Sequence, residues 1–357
     1  MGIIINENLY LTFDDVQLVP QYSEVISRAT NNLSTRISKR YALKIPILAT
    51  PMDTICESRM AIAMMQQGGA GVIHRFLSIK DQVTEIQKVY EFRKREYPST
   101  KSCANPIIAA IGITNDYIER AVALAEAGVN ILLLDVAHGY HILMKNAMEK
   151  LKNEIKSKFS RVDFIAGNVS TYGAAFMLCQ WGADGIRVGV GGGSLCSTRK
   201  NTGHGIPMIS SISECAQAVE GFRVPIIADG GIRNSGDISK AIAAGAESVM
   251  LGSMIASTEE TPGAVFRGHN GKMYKTYRGS ASIESKIDRG EKRNIEGVAT
   301  IKPYKGSVEF VINEIKDNLK SALSYSGVTN IRDFITNSEF IKITNAGIIE
   351  ASTHGTK

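Results

Sequence analysis

The chain has 357 residues and a net charge of +6, with 44% hydrophobic and 21% charged residues. That balance excludes a disordered or collagen-like polymer, and positive charge spread along the chain rather than gathered on one face argues against a nucleic-acid partner. No apolar run approaches the ~20 residues of a membrane span, and MGIIINENLY lacks the basic and long apolar parts of a signal peptide, so a cytoplasmic location without a membrane partner is expected.

Short aliphatic and β-branched runs recur at 46–52, 71–74, 106–111, 130–135, 163–169, 185–190, 224–229 and 248–251. Their near-continuous apolar character suits parallel strands covered on both faces, and helix-period patterns at 117–127, 172–181 and 237–244 fill intervening segments. QQGGAGV, AEAGVNI, QWGADGI and AAGAESV each end a helix at a glycine (Gly68, Gly128, Gly182, Gly245) and enter a strand. The glycines are 60, 54 and 63 residues apart, so each interval holds two strand and helix units, as a fourfold-repeated pair requires. A single (β/α)8 barrel spanning residues 1–357 is the expected fold, with a doubly wound open sheet as the alternative.

Two polar stretches break the alternation, residues 190–210 after the sixth strand and 278–306 after the eighth. In a barrel both lie on the C-terminal face, where long unstructured loops carry chemistry. The loop IIADGGIR and the strand end VMLGSM offer Gly230, Gly231, Gly252 and Ser253 for a phosphate, because glycines let backbone N–H groups approach its oxygens and a helix start adds a favourable dipole. Tight turns alone are the blander explanation of those glycines. Asp229 points into the mouth, where its carboxylate accepts from a ribose diol or else caps the next helix. The run from Gly189 to Ser194 is not a dinucleotide fingerprint, since Ser194 stands where the third glycine belongs. Its successive carbonyls are candidates for a monovalent cation.

Five cysteines make an odd count with no C-x-x-C pair, so neither a disulfide framework nor a thiolate zinc site is indicated. Cys196 stands apart in a Gly/Ser/Thr loop. Free thiols are mostly protonated at pH 7, and a nucleophile needs polar surroundings or nearby positive charge, which Arg199 and loop amides would provide. Cys56, Cys103, Cys179 and Cys215 fit as inert core residues. His74, His138 and His204 lack zinc spacing and are expected to be hydrogen-bonding loop residues.

LTFDDVQLVP near the start, PMDT at 51–54, DVAHG at 135–139, AGNV at 166–169, GGGSLCSTR at 191–199, IIADGGIR at 226–233 and VMLGSM at 249–254 together resemble the IMP dehydrogenase and GMP reductase family. The likeness covers nearly the whole chain in the right order. It implies a (β/α)8 barrel, usually tetrameric, whose loop cysteine bonds covalently to purine C2. Cys196 is that position. Only residues 77–105 separate the second and third strands, which leaves no room for the regulatory CBS pair of many dehydrogenases. The segment 278–306 also lacks their Arg-Tyr pair. Its GSAS, GEKRNIEG and KPYKG look like the shorter flap of bacterial-type reductases, as do IHRF at 73–76 and SYSG at 324–327.

The resemblance therefore implies reductive deamination of GMP to IMP and ammonia with NADPH, and a homotetramer. It implies Cys196 as nucleophile, with Thr198 and Glu296 managing protons. Ser194, Gly279, Ser280 and Ala281 would join the phosphate glycines and Asp229 around the nucleotide, while Arg293 and Gly297 close the flap. Ser27 and Arg28 match positions at the cofactor's adenosine end, and Arg75, Asp135, Val136, Ala137, Val190 and Gly191 match the nicotinamide side. A K+ ion is implied at Gly191, Gly193, Cys196 and Arg199. Three positions depart from the pattern: Gly192 where proline is common, Ser197 where threonine is usual, and Arg75 where some relatives have lysine. The rivals are an IMP dehydrogenase without its insert, turning IMP into XMP with NAD, and a nucleotide-binding protein without turnover.

Overall fold

The structure, a computed structural model, describes residues 8–98, 104–288 and 297–351. The chain enters through β1 (Val16–Leu18) and a hairpin of β2 (Thr35–Arg36) and β3 (Ala42–Leu43). Eight parallel strands follow and close on themselves in chain order: β4 (Ile47–Ala49), β5 (Ala70–Ile73), β6 (Ile108–Ile111), β7 (Ile131–Asp135), β8 (Asp163–Val169), β9 (Gly185–Val188), β10 (Ile226–Asp229) and β11 (Ser248–Leu251). The closed barrel bears out the expected fold and excludes the open sheet.

The helices α1 (Ser58–Gln66), α2 (Ile79–Glu96), α3 (Tyr117–Glu126), α4 (Ile142–Leu151), α5 (Tyr172–Gln180), the short α6 (Thr198–Thr202), α7 (Met208–Val219) and α8 (Ser235–Ala243) come in turn. Several start where the sequence supplies an oxygen cap: Ser78, Thr171 and Asn234 accept from the backbone N–H groups of Asp81, Ala174 and Asp237, contacts generally worth about 1 kcal/mol each. The repeat glycines Gly68, Gly128, Gly182 and Gly245 have φ of +89°, +95°, +95° and +118°, the left-handed geometry that ends a helix.

The continuous apolar runs have a simple cause. Side chains alternate across each strand, and here both faces are buried. Leu48, Ala70, Val72, Ile108, Ala110, Ile131, Leu133, Ile165, Ile227 and Met250 fill the barrel, while neighbours such as Ile47, Ala109, Leu132 and Ala228 belong to the larger core under the helices. Ile37, Tyr41 and Leu43 from the β2–β3 hairpin complete the interior cluster and stopper the N-terminal end.

The same period of two decides what reaches the mouth. Two residues beyond inward-facing Leu133 comes Asp135, and two beyond Ile227 comes Asp229. Gly185 of β9 is followed at the same interval by Arg187. The C-terminal end of an apolar barrel therefore carries charge pointed inward.

The two stretches expected as unstructured loops are more ordered than that. Within 190–210 stand α6, which ends at Gly203 with φ +75°, and the start of α7. After the barrel, β12 (Phe266–Arg267), β13 (Met273–Arg278) and β14 (Ala299–Pro303) form an antiparallel sheet, with α9 (Ile283–Asp288) between β13 and β14, and α10 (Val308–Tyr325) then packs on the helical layer. MYKTYR forms no apolar run, because polar Lys275 and Thr276 interrupt it and Lys275 is itself buried, so it lacks the pattern that marks the barrel strands. β15 (Phe340–Lys342) pairs with β1. Among the described residues the link between the second and third barrel strands is the single helix α2.

Candidate active site

An open cavity of about 480 Å³ occupies the C-terminal mouth, a size ordinary for a small-molecule site. At its floor four charged side chains meet. Arg187 reaches Asp135 Oδ1 at 2.6 Å and Asp229 Oδ2 at 3.0 Å, and Arg75 Nε reaches Asp135 Oδ2 at 3.3 Å. Asn168 also donates to Asp229 Oδ2 at 2.8 Å. Burial on its own would raise the Asp135 carboxyl, but Arg187 and then Arg75 outweigh it and hold it below its ordinary value. Arg187 shows the converse, since burial works against its charge and the two carboxylates prevail, raising its value.

Asp229 does not cap the following helix; Asn234 does, accepting from Asp237 N–H at 2.9 Å. The Asp229 carboxylate instead lines the cavity beside Gly230 and Gly231, where the expected diol contact needs it. Its backbone explains Gly189, which has φ +136°, and a Cβ there would lie 2.0 Å from the Asp229 carbonyl oxygen. Bare backbone brings the cysteine loop against the loop after β10.

The expected phosphate residues Gly230, Gly231, Gly252 and Ser253 all line the cavity. The expected helix start after β11 is absent: residues after Gly252 make turns, with Ala256 N–H on the Gly252 carbonyl at 2.8 Å. Backbone amides and the Ser253 hydroxyl, rather than a helix dipole, are what the segment offers an anion. Tyr277, at the inner face of β13, joins them and shares a hydrogen bond of 3.1 Å with Ser194. Burial raises the Tyr277 phenol above its ordinary value.

Cys196 is exposed on the cavity wall, with its Sγ 3.1 Å from Thr198 Oγ1. Cys56, Cys179 and Cys215 are buried, and burial pushes their thiols up, Cys179 to about 12. They are the inert residues expected of them; Cys103 lies outside the described residues. Arg199 is a brace, not a neighbour offered to the sulfur: its guanidinium donates to the carbonyls of Val190 and Ile206. Val190 is consequently not among the cavity's walls, whereas Gly191, Gly193, Ser194 and Thr198 are. The Gly193 and Arg199 carbonyls accept from Cys196 and Gly203 N–H at 3.0 Å each. Among the described residues no cluster of His, Cys, Asp and Glu could hold a metal ion.

The flap is stitched to this loop. Cys196 and Gly297 form an antiparallel bridge, and Val298 N–H donates to the Leu195 carbonyl at 3.1 Å. Gly279, Ser280, Ala281 and Gly297 all line the cavity, as expected. Arg293 and Glu296 lie outside the described residues, the latter one position before Gly297.

Beside Arg75 and Asp135 of the floor, Val136 and Ala137 also line the cavity, and the Arg75 guanidinium lies 4.9 Å from the centre of the Phe76 ring. A flat apolar ring beside polar groups suits a nicotinamide. Ser27 and Arg28 do not reach this cavity: Ser27 caps a short turn, and Arg28 donates to Ser321 of α10 at 2.9 Å and lies over the Tyr325 ring. His74 pairs with Glu57 at 3.2 Å and accepts from Phe76 N–H, and His204 lies 2.9 Å from the Thr202 carbonyl.

Arg187, Asn168 and Tyr277 were not singled out from the sequence. Arg187 left a signal, a lone charge inside the apolar run GIRV, because a guanidinium tolerates a barrel interior only with carboxylates to meet it.

Relatives agree with this geometry. A model of the IMP dehydrogenase / GMP reductase domain matches residues 10–354. An inosine-5'-monophosphate dehydrogenase of Cryptosporidium parvum is 38% identical, covering 96% of this chain and 94% of its own. A GMP reductase of Leishmania major is 32% identical, covering 96% of each. The solved structure of a GMP reductase from Trypanosoma brucei in complex with guanosine 5'-monophosphate superposes with a TM-score of 0.91 at 29% identity, over 98% of both chains. A closed barrel, a cysteine loop at its mouth and a match along nearly all its length leave one conclusion: the chain belongs to the IMP dehydrogenase / GMP reductase family of oxidoreductases.

Proposed function

We propose that this protein is a GMP reductase that converts GMP to IMP and ammonia with NADPH. The observation that carries the reading is Cys196 Sγ, exposed at the cavity and 3.1 Å from the Thr198 hydroxyl, with flap residue Gly297 bridged to it. The flap sequence supports the reductase over the dehydrogenase, since 278–306 contains no Arg-Tyr pair to activate water.

The phosphate sits on Gly230, Gly231, Gly252 and Ser253, the ribose on Asp229, and the base faces the sulfur. Cys196 thiolate adds to C2 of the purine. Thr198, relaying a proton from Glu296, protonates the 2-amino group, and ammonia leaves with the electron pair of the C2–N bond. Cys196 is then covalently joined to the purine as a thioimidate. Arg75, Phe76, Asp135 and Ala137 would hold NADPH, which would supply the hydride to C2; the C2–S bond then breaks, its electrons return to sulfur and IMP departs. Main-chain carbonyls at Gly191, Gly193, Cys196 and Arg199 would steady the loop around a monovalent cation such as K+. A homotetramer belongs to the same reading, and Ser27 and Arg28, which do not line this chain's own cavity, would meet the adenosine end of a cofactor bound by a neighbouring subunit.

Relatives named as dehydrogenases favour one alternative, oxidation of IMP to XMP with NAD. A paired assay separates the two. GMP with NADPH should consume reduced cofactor and release ammonia, IMP with NAD should produce no NADH, and Glu296→Gln should cut the first rate about 100-fold while nucleotide still binds. NADH production from IMP would overturn the reductase reading.

A further inference from the structure

Three lysines, two on the flap sheet and one just past it, grip the segment that follows β11. Lys275 Nζ, fully buried, donates to the carbonyls of Thr258, Glu259 and Thr261, and Lys305 Nζ donates to that of Met254 at 2.7 Å. The third differs from them. Lys302, on β14, donates to the Ser253 carbonyl at 2.9 Å and also to the Ser253 hydroxyl oxygen at 2.7 Å. Its Nζ lies 5.2 Å from the centre of the Tyr277 ring, and the Tyr277 hydroxyl reaches Ser194 in the cysteine loop.

A serine hydroxyl has one proton to give and lone pairs to receive. With a lone pair engaged by an ammonium, the Ser253 O–H is left as a donor, and Ser253 is on the cavity wall. Charge matters as well. Arg233 also lines the cavity, but Asp14 at 2.5 Å and Asp237 at 3.2 Å neutralise it, whereas Lys302 has no carboxylate partner among the described residues. Burial, helped by the neighbouring Lys305 charge, lowers the Lys302 ammonium from its ordinary value, the condition that an arriving anion relieves.

We propose that Lys302 is the positioning residue of the phosphate subsite, fixing the Ser253 hydroxyl as a donor and supplying the local positive charge that selects a phosphate monoester over an uncharged nucleoside. The inference rests on the reading that Gly252 and Ser253 receive a phosphate, and it ties flap placement to the ligand's charge. It holds whichever purine nucleotide turns over.

The test is binding, measured calorimetrically with the full chain for GMP, IMP and guanosine. Lys302→Met should weaken both nucleotides about 10- to 100-fold, as expected for a hydrogen bond assisted by charge, and leave guanosine unchanged. Lys302→Arg should recover most of the loss. Because part of the Lys302 effect runs through Ser253, the loss in the double variant with Ser253→Ala should be smaller than the sum of the two single losses. Nucleotide affinity unchanged in Lys302→Met, an equal loss for guanosine, or additive losses in the double variant would each overturn the proposal. Failure of the reductase reading would look different: wild-type protein would bind GMP without consuming NADPH, while the Lys302 effects on binding persisted.

Discussion

The mouth of the barrel holds two kinds of polar machinery. Asp135, Arg187 and Asp229 sit at the ends of strands whose hydrogen-bonded neighbours fix them, and they pair with one another. Cys196 sits exposed on a loop just before Thr198 opens the short helix α6, and the flap closes on it by backbone contacts from Gly297 and Val298. Strand ends give placement, and loops give access. A reacting sulfur needs to meet substrate, whereas a charge network buried in a barrel needs never to lose a partner.

That contrast breaks most visibly at the sulfur. Cys196→Ala should lower turnover by about 10,000-fold or more, as loss of a nucleophile does, with the melting temperature unchanged because the side chain is exposed. Steady-state rates and a thermal scan of the same sample check it; a drop in melting temperature would make the loop a structural element. Arg187→Met should do the reverse, costing about 3–5 kcal/mol of stability by leaving Asp229 without a cation and Asp135 with Arg75 alone. Denaturant unfolding reads it, and a loss below about 1 kcal/mol would show that water already shares the network.

The smallest effect expected is on pH dependence. Asp135 is held below its ordinary value in the fold, so its contribution to stability is present above the unfolded value of about 3.9 and disappears as pH falls through the lower folded value. Between pH 5 and 8 it should add no slope. Below about pH 4, stability should fall by up to about 1.4 kcal/mol per pH unit from this group, and Asp135→Asn should remove that share of the acid slope. An unchanged slope in the variant would put the acid sensitivity elsewhere.

The barrel was readable because burial on both strand faces leaves an uninterrupted apolar record, punctuated by Gly68, Gly128, Gly182 and Gly245. Cys196 was readable for the opposite reason, as a thiol among glycine, serine and threonine is out of place in a core. The flap sheet was not, since β13 and β14 mix polar and apolar residues on both faces, as at buried Lys275 and exposed Ile301, and look like loop. Lys302 and Lys305 also resemble surface charge, and only the fold reveals the carbonyls they reach. Arg187 marks the boundary: its charge was visible, but its two carboxylates are 52 and 42 positions away in the chain, and closure of the sheet is what assembles them.

The hairpin at the other end of the barrel, with Ile37, Tyr41 and Leu43 pressed into its interior, closes that end among the described residues. Exchange with solvent is thereby left to the mouth. A small fragment split from a bound ligand finds its exit beside the cysteine loop, on the side that admitted its parent.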